Sequence, residues 1–289
     1  MDETSGVDVA AAWRDHHRVL IDVAYRLLGS VSEAEDAVSE AFTRLARNPA
    51  EPIEDVRAWL VVVVSRICLD QLGSARARRE AYVGPWLPEP VLTSDDDPAD
   101  RVTLDESVRM ALLVVLERMA PAERVAFVLH DVFGYAFGEI AAIVGRTPAS
   151  VRQLASRGRR RVRDERTTAL PVDPDREEAV TRRFLDACAG GDAAELMRLL
   201  DPDVVLRADG GGRVVAPHKP LTGPDPIVRI VLRGLRQYPG MRLEYGRVNG
   251  GPGILTYDAD GSLLAVLALT VAGDRVIAVD LVGNPDKLP

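Results

Sequence analysis

Between Arg152 and Arg163 the chain carries Arg152, Gln153, Ser156, Arg157, Arg159, Arg160 and Arg163, side chains whose chemistry suits nucleic acid. An arginine fork matches the acceptor edge of guanine, a glutamine amide matches adenine, and guanidinium groups bind phosphates without regard to sequence. At about 100° per residue, Arg152, Ser156, Arg159, Arg160 and Arg163 share one arc of a helix. Val151, Leu154, Ala155, Gly158 and Val162 share another. One stripe can therefore dock on a core while the basic arc faces outward, as a recognition helix requires.

Such a helix must be held by others. Pro121 opens a helix with Val125, Val128 and Leu129 at helical spacing, and Gly134 closes it. A short helix from Phe137 to Val144 follows, with Ile140, Ala141 and Val144 inward. Gly145 breaks it, Thr147 can cap the next helix, and Pro148 occupies a first-turn position where its missing N–H is harmless. This arrangement is a helix-turn-helix. Upstream lies another helical block. Ser32–Glu35 reads as a capping box opening a helix through Ala46, and a second helix is expected from Asp55 to Leu72, ending near Gly73. The basic residues Arg76, Arg78 and Arg79 follow.

Residues 81–104 read as an extended linker, with Trp86-Leu87-Pro88-Glu89-Pro90 and the acidic run Asp95–Asp97. An apolar Trp86-Leu87 pair is odd in a free linker and is expected to dock. After Pro171 and Pro174 the character changes. A helical pair over Glu177–Leu200 is broken by Gly190-Gly191. Strands are then expected at Val204–Leu206, Val214–Val215, Arg242–Val248, Ile254–Tyr257, Leu263–Val271 and Val276–Val282, with a helix near Pro226–Gln237. Helices followed by a curled, mostly antiparallel sheet imply an α+β cone-shaped barrel.

Composition narrows the function. A length of 289 residues suggests two or three domains, and a net charge of −8 is wrong for a protein that coats nucleic acid unaided. DNA binding must use local patches or a partner. Of 36 basic residues, only Lys219 and Lys287 are lysine. Cys68 and Cys188 form neither a disulfide framework nor a metal site, and His16, His17, His130 and His218 have no ligand spacing with them. No cofactor or metal is implied. Acidic and basic residues interrupt any signal-peptide pattern at the N-terminus, and Leu60–Val64 is too short to span a membrane. A soluble cytoplasmic location is expected.

The two helical blocks resemble a bacterial extracytoplasmic-function sigma factor. Asp36–Pro49 (DAVSEAFTRLARNP) and Val56–Leu72 (VRAWLVVVVSRICLDQL) look like sigma region 2; Met119–Arg163 looks like region 4. The last block resembles a SnoaL-like domain of the nuclear-transport-factor-2-like superfamily. In sigma factors with that extension the linker carries a WLPEP-like stretch, the extension a DGGGR/K motif and the C-terminus NPDKL. Here these are Trp86–Pro90, Asp209–Arg213 and Asn284–Leu288. The expected fold is multidomain: sigma region 2 at 8–80, a linker at 81–104, sigma region 4 at 105–166 and a SnoaL-like domain at 175–289. One departure is Ala136, where the family commonly has Ser or Thr forming a capping box with Glu139; losing that cap costs about 1 kcal/mol.

The resemblance implies that Asp36, Glu40, Arg44 and Arg47 face the clamp helices of the largest subunit of core RNA polymerase. The loop Asn48–Asp55 would hold a base flipped from the −10 element, and Arg57, Arg66 and Arg76 would line strand phosphates. Trp59 reads as core more than as a stacking platform. Arg152, Gln153 and Ser156 would read the −35 element, with Arg157, Arg159, Arg160 and Arg163 on phosphates. Asp131 and Phe133 lie where the family meets the polymerase flap. Trp86, Leu87, Asp209, Gly210, Gly211, Gly212, Arg213, Asn284, Pro285, Asp286, Lys287 and Leu288 are the interdomain regulatory candidates. Opposite charges at Asp209 and Arg213 and at Asp286 and Lys287 suggest that the tail folds back on the glycine loop. The fused domain would then act in place of a separate anti-sigma factor, with an unidentified small ligand left open. Asp209, His218 and Asp280 are the residues available to an enzyme of this fold, but no spacing pairs them, and a non-enzymatic role is expected. Two other readings compete: a stand-alone ligand-sensing helix-turn-helix regulator, which leaves the first helical block unexplained, and a SnoaL-like enzyme with a DNA-binding appendage.

Overall fold

The computed structural model describes residues 7–47, 53–80, 82–93, 108–165 and 173–289, and of 75–80 the backbone only. The chain divides into two compact units. One comprises 1–78, 102–104 and 115–162; the other comprises 79–101, 105–114 and 163–289.

In the first unit, α1 (Val9–Leu28) starts at Asp8, whose carboxylate accepts from the backbone of Ala10 and Ala11, and ends at Gly29 with φ 71°. Helix α2 (Val31–Ala46) buries Ala37, Val38, Ala41, Phe42 and Leu45 on one face. Its cap is Ser30, two residues before the expected Ser32: the Ser30 hydroxyl accepts from Glu33 N at 3.2 Å. Both serines suit a cap, and Val31 fits the first turn, so spacing alone did not choose. Helix α3 (Val56–Glu80) begins where the Asp55 carboxylate accepts from Ala58 N, and it runs past the expected stop at Gly73. An exposed glycine costs a helix only about 1 kcal/mol, and the Ala- and Arg-rich sequence beyond it favours continuation.

Helix α4 (Met110–Glu117) divides between the units. Then α5 (Pro121–Phe127) passes into a π-helical turn over Val128–Val132, α6 spans Phe137–Val144 and α7 spans Pro148–Asp164. The π turn carries a Phe133 N to Val128 O bond of 3.2 Å, inserting a residue that apolar spacing does not register. Gly134 and Gly145 take positive φ at the breaks.

The second unit contains helices α8 (Pro174–Gly190), α9 (Ala193–Leu199) and α10 (Pro224–Gln237) and a seven-stranded sheet. Its strands are β1 (Leu92–Thr93), β2 (Leu200–Asp209), β3 (Leu221–Thr222), β4 (Arg242–Val248), β5 (Gly251–Tyr257), β6 (Leu263–Ala272) and β7 (Arg275–Val282), in the order β1-β4-β5-β6-β7-β2-β3. All neighbours are antiparallel except β2 with β7, where Arg207 faces Asp280 in register. Two cores flank the sheet. Phe184, Leu196, Leu206, Ile227, Ile254, Leu269 and Val279 fill the helix side. Leu87, Met110, Val114, Val248, Val266, Ala268 and Val282 form the second cluster.

That second core takes in Leu87, of the Trp86-Leu87 pair expected to dock, within the described residues 82–93. Leu87 is 1% exposed, and β1 pairs with β4 through Leu92 opposite Val248. The expected strand at Val214–Val215 is absent; Val215 is 96% exposed at the end of a turn. Its β-branched pair belongs to the turn that Gly211 and Gly212 set with φ 59° and 71°.

Candidate nucleic-acid interface

Helix α7 presents the basic arc as its sequence requires. Val151, Leu154, Ala155 and Gly158 are buried, whereas Arg152, Gln153, Ser156, Arg157, Arg160 and Arg163 are exposed. Thr147 caps the helix through Ser150 N at 3.3 Å. At Gly158 the helix backbone crosses Phe127, and a Cβ there would stand 2.8 Å from the Phe127 Cβ. Two arginines are tied down. Arg159 pairs with Asp131 at 2.9 Å, and Arg161 pairs with the buried Glu123 at 2.8 Å. Arg152 lies over the Phe137 ring at 5.2 Å, bracing the start of the helix against α6. Although Ala136 makes no side-chain cap, half of a capping box survives: Glu139 accepts from Ala136 N at 2.7 Å.

Asp36, Glu40, Arg44 and Arg47 lie exposed along α2, with Glu40 and Arg44 paired to each other. Residues 48–52 of the expected base-holding loop lie outside the described residues, as does the Arg76 side chain. Ile53, Asp55 and Trp59 line a cavity of about 420 Å³ whose far wall is Tyr135, Glu139, Ala142 and Ile143. Trp59 is half-buried there. Three further contacts cross the same seam. Arg66 donates to the Ala142 carbonyl at 2.9 Å, Arg124 donates to the Leu27 carbonyl at 2.8 Å, and the Arg26 guanidinium stands 5.6 Å from the Phe133 ring centre. Burial pushes the Tyr135 hydroxyl pKa up, against the opposing charge and hydrogen bond of Arg57.

In the second unit, the glycine loop, the linker and the C-terminus meet at one carboxylate. Asp209, fully buried, accepts from the Tyr82 hydroxyl at 2.6 Å, Leu87 N at 2.8 Å, Gly211 N at 3.0 Å and Lys287 Nζ at 2.8 Å. Lys287 also donates to the Leu87 carbonyl at 2.6 Å and stands 3.8 Å from the Trp86 ring centre and 5.1 Å from that of Tyr82. Asn284 donates to the Tyr82 hydroxyl at 2.9 Å and accepts from Asp286 N at 3.1 Å. Arg213 pairs with Asp286 at 3.0 Å on the surface. Gly211 has φ 59°, and a Cβ on it would collide with the Asn284 side chain; one on Gly210 would stand 2.6 Å from the Val214 carbonyl. The glycines therefore let the tail approach. Pro285–Lys287 form one 3₁₀ turn that aims Lys287 inward, and Leu288 packs against the second core.

Two of the three candidate enzymatic residues serve the framework. Asp280 makes a buried pair with Arg207 at 2.5 Å, and Asp209 is saturated by the four donors above. His218 is exposed on the loop before β3, with no bond to either carboxylate.

The protein-family model of Sigma-70 region 2 matches residues 12–78, and that of Sigma-70 region 4 matches residues 109–162. The chain is 41% identical over 282 residues to the probable ECF RNA polymerase sigma factor SigI of Mycobacterium tuberculosis, covering 97% of this chain and 94% of that protein. The chain belongs to the extracytoplasmic-function RNA polymerase sigma factors. It is also 42% identical to SigJ of the same organism over 292 residues, covering 96% of this chain and 91% of SigJ. The crystal structure of SigJ superposes with a TM-score of 0.78 at 37% identity, covering 96% of this chain and 97% of that one. The architecture is thus two helical sigma regions, the second carrying the helix-turn-helix of α6 and α7, and an α+β unit of α8, α9, α10 and the seven-stranded sheet.

For this sigma factor the structure brings together the WLPEP, DGGGR and NPDKL stretches, and it sets Trp59 and Arg66 of α3 both beside Ala142. Sequence reasoning missed Tyr82 and Tyr135. Tyr82 stands four residues before Trp86, and a second aromatic so close to a docking pair was the available signal. Tyr135 follows Gly134 in a short connection, with no pattern to mark it. No helix among the described residues is long and apolar enough to cross a membrane.

Proposed function

We propose that this sigma factor is a dissociable promoter-reading subunit of cytoplasmic RNA polymerase whose two DNA-binding regions are governed by its own C-terminal domain, without enzymatic turnover or a cofactor. On this reading region 2 is 8–80, the linker 81–104, region 4 105–166 and the SnoaL-like domain 175–289. Arg152, Gln153 and Ser156 address bases of the −35 element, and Arg157, Arg160 and Arg163 address phosphates. Arg159 joins them only by leaving Asp131, since it is already paired. Arg57, Arg66 and Arg76 bind the −10 strand, and the α2 face bearing Asp36, Glu40, Arg44 and Arg47 meets the polymerase clamp. A net charge of −8 fits a factor that binds promoters in company with core enzyme.

The observation carrying the regulatory part is that the described chain between region 2 and region 4 is built into the C-terminal unit. Leu87, Met110 and Val114 are core residues of that unit, and Lys287 and Asp209 hold the linker at Leu87. The reach between the two regions is thus set by a folded clasp in place of a loose tether. Changing that reach is a population shift, and whatever drives it must bind the clasped and released forms differently. Run-off transcription with core polymerase and either the natural protein or Lys287→Glu tests the reading. Altered promoter output supports it; equal output with an undocked linker rejects it. Removal of everything after residue 170 is a poorer test, because it would strip the cover from Leu87, Met110 and Val114.

A further inference from the structure

Helix α10 of the second unit carries a stripe of positive charge. Arg229, Arg233 and Arg236 follow one another at i, i+4 and i+7, so they share one face, and all three are exposed. Through the described residues 173–289, each arginine outside α10 holds a carboxylate, as Arg183 holds Glu195 and Arg242 holds Glu244, or a backbone carbonyl, as Arg247 and Arg275 do. The three on α10 make no ion pair and no hydrogen bond among the described residues. Asp225, in the first turn, is the one acid on the helix. The helix dipole accounts for Arg236 alone, because its field fades within the last turn.

We infer that this face of α10 binds the phosphate backbone of duplex DNA, giving the C-terminal unit a DNA contact of its own. The inference rests on the sigma-factor reading only for bringing promoter DNA to this unit. Seven residues of helix span about 10.5 Å, and a duplex advances about 3.4 Å per nucleotide of one strand, so the stripe covers about three phosphates. Arg159 must leave Asp131 before it can bind a phosphate, whereas Arg229, Arg233 and Arg236 break no internal bond. All the counterion release at the stripe therefore goes to affinity. A protein partner fits less well, since the centre of such an interface is apolar and no exposed apolar side chain stands among the three; Ile230 and Leu232 are half-buried. A bilayer fits no better. The apolar face of α10 is committed to the core through Ile227 and Val228, which leaves none to enter lipid.

The test uses the full chain and a fluorescent duplex of random sequence, titrated by anisotropy at several salt concentrations. Arg229→Gln with Arg233→Gln and Arg236→Gln should lower the slope of log affinity against log salt by about 2.7, three charges at about 0.9 each. A control, Arg176→Gln with Arg198→Gln and Arg242→Gln, removes the same charge from arginines already paired, and should leave the slope near that of the natural protein. If the two triple variants shift the slope alike, with melting temperatures retained, the stripe is wrong. Contact is read directly from Gln237→Cys carrying a tethered iron chelate, Cys68 and Cys188 being buried. It should cleave promoter DNA in the polymerase complex and lose that cleavage when the three arginines are glutamine. No cleavage would overturn the contact even if affinity changed. A stripe variant that binds duplex normally but loses core polymerase would assign the face to an acidic protein surface, and would overturn it too. Core-dependent run-off transcription separates the two levels: transcription with an unaltered slope removes the stripe alone, whereas a slope change without any complex with core removes the sigma reading and leaves the stripe.

Discussion

Lys287 donates to Asp209 at 2.8 Å, joining the third residue from the C-terminus to the end of β2, and both side chains are buried. The ammonium completes its shell with the Leu87 carbonyl and the Trp86 face, so the pair is satisfied on each side by the linker it holds. A buried ion pair is stabilising only when its remaining hydrogen bonds are made, and here they are. Removing one partner leaves the other charge buried and alone.

Asp209→Asn should therefore destabilise the second unit by about 3–5 kcal/mol, the usual range for breaking such a pair. Hydrogen exchange over residues 82–93 should rise while exchange in α1 stays unchanged. If protection of the linker survives, Asp209 does not hold it.

Glycine positions give a sign test. Gly211→Ala meets both an unfavourable φ of 59° and the Asn284 side chain, so it should lower stability by more than about 1 kcal/mol. Gly73→Ala lies in α3 with nothing within 4 Å, and should raise stability by about 0.5–1 kcal/mol. Thermal melts of the two variants should move in opposite directions.

How much was legible in the sequence varied with the physics behind each signal. Helix α6 and strand β4 matched their expected ends, because Gly145 and clean periodicity marked them. The cap of α2 was misread by two residues, since Ser30 and Ser32 offer the same chemistry. In the linker, the oddity of an apolar Trp86-Leu87 pair signalled docking, but proline and aspartate content reports only local stiffness and polarity and could not name Val248, Val266 and Val282 as the partners of Leu87. The surface arc of α7 was readable from spacing, but the Arg159–Asp131 pair was not, as it depends on how α7 crosses the π turn. Contacts such as Arg66 with Ala142 leave no trace in composition or period.

Gly158→Ala should push α7 away from Phe127 and tilt the basic arc. Binding to promoter duplex in the polymerase complex should fall about tenfold, a loss of about 1.4 kcal/mol. Gly138→Ala, with nothing near it, should leave binding unchanged.

Arg160→Ala and Arg163→Ala should each reduce the salt dependence of DNA binding by about one unit in the log–log slope, nearly independent of sequence. Arg152→Ala should instead relax preference at one base pair. Titrations at several salt concentrations separate these cases; an unchanged slope would take Arg160 and Arg163 off the phosphates.

Burial pushes the Cys188 thiol pKa up to about 12. The sign follows from proton counts. Below about pH 9 both folded and unfolded chains keep the proton, and stability is unaffected. Between there and about 12 the unfolded chain releases it first, so stability falls as pH rises, by about 1.4 kcal/mol per pH unit for this group. Cys68 and Tyr82 are raised by burial as well and add to the same alkaline loss. Alkylation at pH 8 should label neither cysteine until the protein is unfolded.

The most direct measurement is reconstitution with purified core RNA polymerase from a related bacterium, followed by run-off transcription from a library of promoter fragments. A sigma factor of this kind predicts co-elution with core enzyme and transcripts that begin at fixed sites only when both are present. Absence of a complex with core, together with no factor-dependent transcript, would contradict it.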